Sequence, residues 1–264
     1  MPKIVLITGA NRGIGFCMVQ RIAEKSKDCV VLVASRELSA AEQAIASLKG
    51  LRAILQPVAL DVASDESIRA CLDDIDDKHG KLDGEFAIEQ VLRFDYSANS
   101  LMFPDQVLVN NAGIAVNPSD DHADFRSAYS RTFDVNITAV GLLTSLAMPL
   151  LQRSSDPRVI NVSSGRASIH NITTGNLPPT ASVPYSVSKV ALNALTLELA
   201  KVYPDVSFYA ANPGHCKTAF NGYKGKKDPL EGARVVEELA LAEKGVYGSG
   251  FWQCEEGIMS EMRW

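Results

Sequence analysis

The segment Tyr185–Lys189 (YSVSK) pairs a phenol with an ammonium group at a spacing that suits proton transfer. Residues four apart on a helix share a face, so Lys189 would lie beside Tyr185. A free phenol has a pKa of about 10, and a neighbouring cation lowers it towards the range of a general acid. The same pair also arises by chance on exposed helices. Support comes from Asn161–Ser164 (NVSS), where a predicted strand ends and Ser164 offers a second hydroxyl.

A glycine-rich turn, Thr8–Gly15 (TGANRGIG), follows the apolar run Ile4–Ile7 and begins an amphipathic segment. Glycines allow the sharp turn from strand to helix and let backbone N–H groups approach a pyrophosphate. Ile14, Met18 and Ile22 then recur at helical spacing. The pattern predicts a dinucleotide site, and the alternative is a turn of the same shape that binds nothing.

The residues after the second predicted strand indicate which dinucleotide is expected. An acid usually stands there to bind the ribose 2′-hydroxyl, whereas this chain has Ser35 and Arg36. Arg36 and Arg12 together would bind a 2′-phosphate through charge-assisted hydrogen bonds, which favours NADP(H) over NAD(H). The alternative is that both arginines are solvated surface residues.

Strands and helices alternate along the chain, which predicts an α/β fold with a parallel sheet and helices on both faces. The predicted strands are Lys3–Ile7, Val30–Ala34, Ala53–Leu60, Val107–Val109, Arg158–Val162, Val206–Ala211 and a short one near Phe251, and the main helices are Phe125–Met148 and Tyr185–Tyr203. Pro57 cannot donate to a strand ladder, so the third strand belongs at an edge. We therefore expect one doubly wound Rossmann domain over residues 1–264, with about seven strands in the order 3-2-1-4-5-6-7.

Composition narrows the classes of partner. The 264 residues are 46% hydrophobic, enough for one large core, and the net charge of −5 argues against nucleic acid. Lys224, Lys226 and Lys227 form the one basic cluster, which we interpret as a solvated loop. Five cysteines without paired spacing predict reduced thiols, no metal and a cytoplasmic location. The early first strand leaves no room for a signal peptide, and we expect no membrane-spanning segment.

With these residues in place, the chain resembles the short-chain dehydrogenase/reductase family over nearly its whole length. Its ending, Gly250–Trp252 (GFW) with Trp264, is similar to the carbonyl-reductase-like branch. The matching motifs are TGxxxGxG, the Asp61–Val62 pair, NNAG at Asn110–Gly113, YxxxK, and PGxxxT at Pro213–Thr218. The cofactor-binding residues that motifs and resemblance imply together are Gly9, Asn11, Arg12, Gly13, Ile14, Gly15, Ser35, Arg36, Asp61, Val62, Asn111, Ala112, Gly113, Tyr185, Lys189, Pro213, Gly214, Cys216 and Thr218.

The resemblance also implies four catalytic roles. Tyr185 is the acid/base, Lys189 lowers its pKa and holds the nicotinamide ribose, Ser164 steadies the carbonyl oxygen, and Asn136 supports a water in the proton relay. Ser164 is chosen over the adjacent Ser163 because it is nearer the following loop. Ser164 and Tyr185 are 21 positions apart, more than is usual in the family, which predicts a short extra loop.

The expected function is NADPH-dependent reduction of a ketone or aldehyde to an alcohol, or the reverse, by a monomer or homo-oligomer. One alternative is an NADP-binding regulator without turnover, although such a protein has no need of all four catalytic positions. Another is reduction of carbon–carbon double bonds, which relatives perform with a different spacing of tyrosine and lysine. Residues 165–184 and 219–232 should wall the substrate pocket. His170 and His215 lie near this pocket in sequence, but neither has a partner at metal or triad spacing, so we assign them no role.

The segment Gly84–Gln106 departs from the family pattern. Joining Lys81–Asp83 directly to Val107–Asn111 restores that pattern, so the 23 intervening residues are interpreted as an insertion. They form either a genuine surface excursion or a retained short intron, since Gly84–Phe86 can be encoded by GGTGAGTTC, which reads as a splice donor. The insertion enters at the N-terminal end of strand four, so we expect it on the opposite side of the sheet from Tyr185.

Overall fold

The computed structural model describes residues 3–80 and 105–264. The strands are β1 Lys3–Ile7, β2 Cys29–Ser35, β3 Ile54–Ala59, β4 Asp105–Asn110, β5 Arg158–Val162, β6 Ser207–Asn212, β7 Gly250–Glu255 and β8 Ile258–Glu261. The helices are α1 Gly13–Lys25, α2 Leu38–Ser47, α3 Asp65–Ile75, α4 Phe125–Phe133, α5 Ala139–Leu151, α6 Ile169–Thr173, α7 Val183–Val202 and α8 Pro229–Leu241. Single 3₁₀ turns occur at Gly165–Ala167 and Ala219–Asn221.

All described strands form one sheet in the order β3-β2-β1-β4-β5-β6-β7-β8. The predicted order of seven is confirmed, and β3, which contains Pro57, lies at the edge and pairs only with β2. The eighth strand was missed. It runs antiparallel to β7, with Cys254 opposite Met259, across a tight turn in which Glu256 and Gly257 both have positive φ. A strand of four residues with little apolar periodicity gives a weak sequence signal.

Two apolar layers cover the two faces of the sheet. Alternate residues of β1 point to opposite faces, so Val5 and Ile7 pack with α1 and α8, while Ile4 and Leu6 pack with α3 and α5. Helices cover both faces of the sheet, so residues on both sides of each central strand are apolar and the strands appear in the sequence as continuous apolar runs. In an open α/β sheet, ligands bind outside the C-terminal edge of the strands.

The helical stretch Phe125–Leu151 corrects one expectation. Its 27 residues include an 18-residue part with a mean hydropathy of 1.5, long and apolar enough to span a membrane, whereas no such stretch was expected from the sequence. Half of this apolar part is buried inside the fold, where Leu143 and Ala147 belong to the core. Packing against the sheet thus explains much of its apolar composition.

The predicted insertion lies almost wholly outside the described residues. Only its last two residues are described, and they belong to β4, where Asp105 pairs with Lys3 and Gln106 with Ile4. Strand β4 therefore begins two residues before the predicted Val107. The predicted position of residues 84–104 relative to Tyr185 stays a prediction.

Candidate active site

The glycine turn after β1 is packed against the loop after β4. Gly9 has φ +61°, and a Cβ there would lie 3.2 Å from the Cα of Ala112. A Cβ on Gly15 would lie 2.5 Å from the carbonyl oxygen of Gly9 and from Nδ2 of Asn111. Both positions therefore require glycine, for its positive φ in one case and for close approach in both.

The N-terminus of α1 fits a phosphate group. Arg12 at the N-cap makes no side-chain capping bond, and the first turn contains no acidic residue. The first N–H groups of a helix have no partner within it, and its dipole favours an anion there. Gly13 is exposed, with no atom within 4 Å of where its Cβ would be. The geometry of the turn thus fits the pyrophosphate of a dinucleotide.

Arg12 and Arg36 lie beside the same turn. The N–H of Ala10 donates to the carbonyl of Ala34 at 2.9 Å, which brings the turn next to the end of β2. Ser35 is buried and Arg36 is exposed. Within residues 3–80 and 105–264, neither arginine forms an ion pair, so both guanidinium groups are available to an anion.

The Asn111–Gly113 segment is held by the turn. Oγ1 of Thr8 accepts from the N–H groups of both Asn111 and Ala112 at 2.9 Å, and Nδ2 of Asn111 donates to the carbonyl of Thr8 at 2.8 Å. Val62 lines a small recess together with Thr8 and Ala112. Asp61 precedes it and accepts from the N–H of Ala63. The predicted adenine and ribose contacts therefore converge on one edge of the sheet.

Asn136 lies in a π-helical turn, Asp134–Thr138, between α4 and α5. Its side chain is fully buried and bonds both backbone groups of Ile114 at 2.9 Å. Its Nδ2 also donates to Oγ of Ser188 at 2.9 Å, and that hydroxyl donates to the carbonyl of Tyr185. Asn136 thus links the loop after β4 to the first turns of α7. π turns are rare and frequent at functional sites.

Tyr185, Lys189 and Ser164 lie together at the C-terminal edge. Nζ of Lys189 is 5.7 Å from the centroid of the Tyr185 ring and donates to the carbonyl of Val162 at 2.7 Å. A Cβ on Gly113 would lie 3.7 Å from Nζ of Lys189 and 3.2 Å from Oδ1 of Asn136. The four predicted catalytic residues therefore surround one point beside the cofactor loop.

The protonation equilibria differ from the sequence prediction. Burial raises the pKa of Tyr185 to about 12, although a hydrogen bond with Ser164 opposes the rise. Burial also lowers the pKa of Lys189 to about 8. The predicted lowering of the Tyr185 pKa by Lys189 is not what this arrangement gives. The reason is that desolvation dominates at both groups and the ammonium group is bonded to Val162.

The structure distinguishes the two candidate serines. Oγ of Ser163 is buried and donates to Oδ1 of Asn193 at 2.6 Å, within the packing of α7. Oγ of Ser164 accepts from the N–H of Arg166 at 3.2 Å and interacts with Tyr185. The geometry favours Ser164 as the residue beside the reacting oxygen. The predicted extra loop that follows contains the short helix α6.

The Pro213–Thr218 segment turns at Gly214, which has φ +81°. The Cys216 thiol donates to the carbonyl of Pro213 at 3.2 Å, and burial raises its pKa to about 11. Its side chain therefore packs inward, and only its backbone can face a ligand. Close by, the buried Oδ1 of Asn221 has no hydrogen-bond partner among the described residues, while Nδ2 donates to the carbonyl of Cys216. An unpartnered acceptor here suits a carboxamide donor such as that of nicotinamide.

Asn212 has a role that the sequence analysis missed. Its Oδ1 accepts from the N–H of Gly165 at 2.9 Å and from the N–H of Gly214 at 3.0 Å. One buried oxygen thus joins the loop that carries Ser164 to the loop that carries Thr218. The position, directly before the proline and glycine of the PGxxxT motif, was the only available signal.

The contacts recorded for His170 and His215 involve their backbone groups. The backbone of His170 donates to the carbonyl of Trp264, and the carbonyl of His215 accepts from Lys226 and Lys227. Among the residues that the structure describes, no group of three His, Cys, Asp or Glu side chains is placed to hold a metal ion. Neither imidazole is assigned a function by its contacts.

The chain is similar in sequence and in structure to known short-chain dehydrogenases and reductases. Residues 3–84 and 99–229 match the sequence profile described as short chain dehydrogenase. A short-chain dehydrogenase/reductase of Aspergillus fumigatus is 33% identical over 280 residues, covering 99% of this chain and 97% of the relative. A benzil reductase of Saccharomyces cerevisiae is 30% identical over 210 residues, covering 77% and 67%. The structure of an NADPH-bound carbonyl reductase from chicken fatty liver superposes with a TM-score of 0.70 at 24% identity, covering 100% and 99%.

Proposed function

Because the chain belongs to the short-chain dehydrogenase/reductase family, we propose that it reduces a ketone or aldehyde with NADPH, or oxidises the alcohol with NADP⁺. The family assignment makes it an oxidoreductase that uses a nicotinamide cofactor. The single observation that carries the finer proposal is the convergence of Tyr185, Lys189 and Ser164 beside the glycine turn. The crevice at the C-terminal edge of an open α/β sheet is the usual place for such a ligand.

The bound cofactor would supply a hydride, which is a proton together with two electrons, to the carbonyl carbon. Tyr185 donates the phenolic proton to the carbonyl oxygen, so a ketone, NADPH and one proton yield an alcohol and NADP⁺. The Tyr185 phenol carries its proton at neutral pH, which is the form that can donate it. Ser164 donates a hydrogen bond to the same oxygen, and Lys189 holds the nicotinamide ribose.

The preference for NADP(H) rests on Arg12 and Arg36. Both lie beside the turn that would hold the pyrophosphate, and neither is paired with an acid in the described ranges. A 2′-phosphate placed between them would accept charge-assisted hydrogen bonds from two guanidinium groups. A ribose 2′-hydroxyl would gain much less from the same contacts.

The carbonyl assignment is supported by the names of two similar proteins, a benzil reductase and a carbonyl reductase. We also propose a cytoplasmic location, since all five cysteines are free thiols and four of them are buried. A small-molecule substrate is expected, with neither nucleic acid nor membrane as a partner, and the protein would act as a monomer or a homo-oligomer.

The test measures oxidation of NADPH by the purified chain in the presence of activated ketones such as ethyl pyruvate and ethyl benzoylformate. The proposal expects turnover with NADPH that exceeds turnover with NADH. Tight NADPH binding without turnover of any ketone, aldehyde or alcohol would favour the regulatory alternative. Reduction of conjugated alkenes with the carbonyl left intact would favour double-bond reduction.

A further inference from the structure

Phe220 is in ring contact with the proposed proton donor. The ring centroids of Tyr185 and Phe220 are 5.4 Å apart, with an angle of 58° between their planes. Phe220 nevertheless remains 52% exposed, so about half of its side chain is not covered by the protein. Covering exposed aromatic surface of this kind with a ligand is favourable, because it removes apolar area from water.

The backbone of its own loop holds Phe220 in place. The segment His215–Lys227 is closed at its base by bonds from Lys217 N–H to the Lys227 carbonyl at 2.9 Å and from Lys226 N–H to the His215 carbonyl at 2.9 Å. Within the loop, the N–H of Tyr223 donates to the carbonyl of Thr218 at 2.8 Å. Since none of these bonds uses the Phe220 side chain, the ring can be replaced without releasing the loop.

The segment that follows Ser164 also exposes apolar side chains. Helix α6 exposes Ile169 and Ile172, and it leaves the sheet after β5, the strand next to the one that leads to Phe220. The start of α6 is anchored, since Oγ of Ser168 donates to the carbonyl of Arg263 at 2.6 Å. Of the twelve exposed large apolar side chains among the described residues, five lie in the ranges 165–184 and 219–232. Apolar exposure is therefore concentrated at the proposed substrate pocket.

We infer that Phe220 determines substrate specificity, by selecting ketones that carry a flat aryl group on the reacting carbonyl carbon. The inference rests on the proposed function. A carbonyl oxygen bonded to Tyr185 places the substituents of its carbon near the Tyr185 ring, and the Phe220 ring lies 5.4 Å from that ring, centroid to centroid. Aromatic pairs gain more than their buried area alone provides, because ring edges and faces carry opposite partial charges. A flat aryl group therefore gains more there than a methyl group or a saturated ring.

The test compares three α-keto esters that differ only in the group on the reacting carbon: ethyl pyruvate, ethyl benzoylformate and ethyl cyclohexylglyoxylate. We expect the wild type to prefer ethyl benzoylformate, which carries a phenyl group. Phe220→Ala should lower kcat/KM for this ester about tenfold, since an aromatic pair and its buried area contribute about 1.4 kcal/mol. For ethyl pyruvate, which carries a methyl group, kcat/KM should change less than twofold. Tyr223→Ala is the matched control, because Tyr223 is an exposed aromatic of the same loop, and among the described residues the ring contact with Tyr185 is made by Phe220 and not by Tyr223.

Several results would overturn the inference. An equal loss of kcat/KM for all three esters in Phe220→Ala would show a role in loop closure rather than selection. Equal wild-type kcat/KM values for ethyl benzoylformate and ethyl cyclohexylglyoxylate would show selection by size alone. An unchanged preference in Phe220→Ala would remove the residue from specificity. If the wild type reduces none of the esters with NADPH, the proposed function itself fails, and that outcome is distinct from the other three.

Discussion

The ammonium group of Lys189 lies beneath the ring of Tyr185, at 5.7 Å from its centroid. The carbonyl of Val162 accepts a hydrogen bond from that group at 2.7 Å and fixes it at the end of β5. The pair is thus positioned by the edge of the sheet as well as by the spacing of four on α7.

Tyr185→Phe should retain NADPH binding and lose at least 100-fold in kcat, since general acid catalysis contributes about 10²–10⁴-fold. The phenol is the proposed proton donor, and the substitution leaves the ring and its contact with Phe220 in place. Single-turnover reduction and NADPH titration of the same preparation separate chemistry from binding. Turnover close to that of the wild type would remove Tyr185 from the mechanism.

Stability should depend on pH through Lys189. Burial lowers its pKa to about 8 in the folded chain, from 10.5 in the unfolded chain. Between these values the unfolded state binds more protons, so the free energy of unfolding rises with pH there. Relative to Lys189→Met, the wild type should gain about 1 kcal/mol between pH 7 and pH 9.

Urea unfolding of both proteins at each pH provides the measurement, and subtraction cancels the contribution of groups common to both. Tyr185 has the opposite sign, because its raised pKa makes the folded state bind more protons above pH 10. Its effect therefore lies outside the window. Parallel pH curves for the wild type and Lys189→Met would contradict the prediction.

Arg36→Ala should weaken NADPH binding by about 1.5–3 kcal/mol, the usual loss for a hydrogen bond to a charged group. NADH has no 2′-phosphate, so its affinity should barely change. Isothermal titration with both cofactors makes the comparison, and Arg12→Ala serves as a second variant at the same phosphate. An equal loss for both cofactors would show that Arg36 does not recognise the 2′-phosphate.

Asn212→Leu should reduce kcat about tenfold or more, because it releases the loops that carry Ser164 and Gly214 from their common acceptor. It should also destabilise the fold by about 1–3 kcal/mol per N–H group left buried without a partner. Asn212→Asp keeps an oxygen at the same place and should restore much of kcat. If Asn212→Leu loses stability but keeps the wild-type kcat at a temperature where it is folded, the bond has no role in positioning.

Deletion of Gly84–Gln106 should give a soluble enzyme with unchanged or better activity and stability. Joining Asp83 to Val107 would put Leu82 and Asp83 at the strand positions that Asp105 and Gln106 hold in β4. Activity and thermal unfolding of the deletion variant are the measurements, and sequencing the transcript tests the intron interpretation. A variant that binds NADPH but cannot turn over substrate would show that the segment serves the active site.

Local sequence patterns were sufficient to predict the order of the first seven strands in the sheet. Continuous apolar runs and the edge position of Pro57 depend on local chemistry that a sequence displays, and the glycine turn needs its glycines for steric reasons. The short strand β8 was missed because its pairing partner, and not its own pattern, makes it a strand.

The electrostatics and the links between loops required the folded chain. The pKa of Tyr185 is raised where spacing alone predicted it lowered, because desolvation depends on everything that surrounds the group. The bond that buries the Ser163 hydroxyl against Asn193 and the bridge at Asn212 each depend on contacts between distant segments. A one-dimensional pattern shows which groups are present, whereas their burial and partners exist only once the chain is folded.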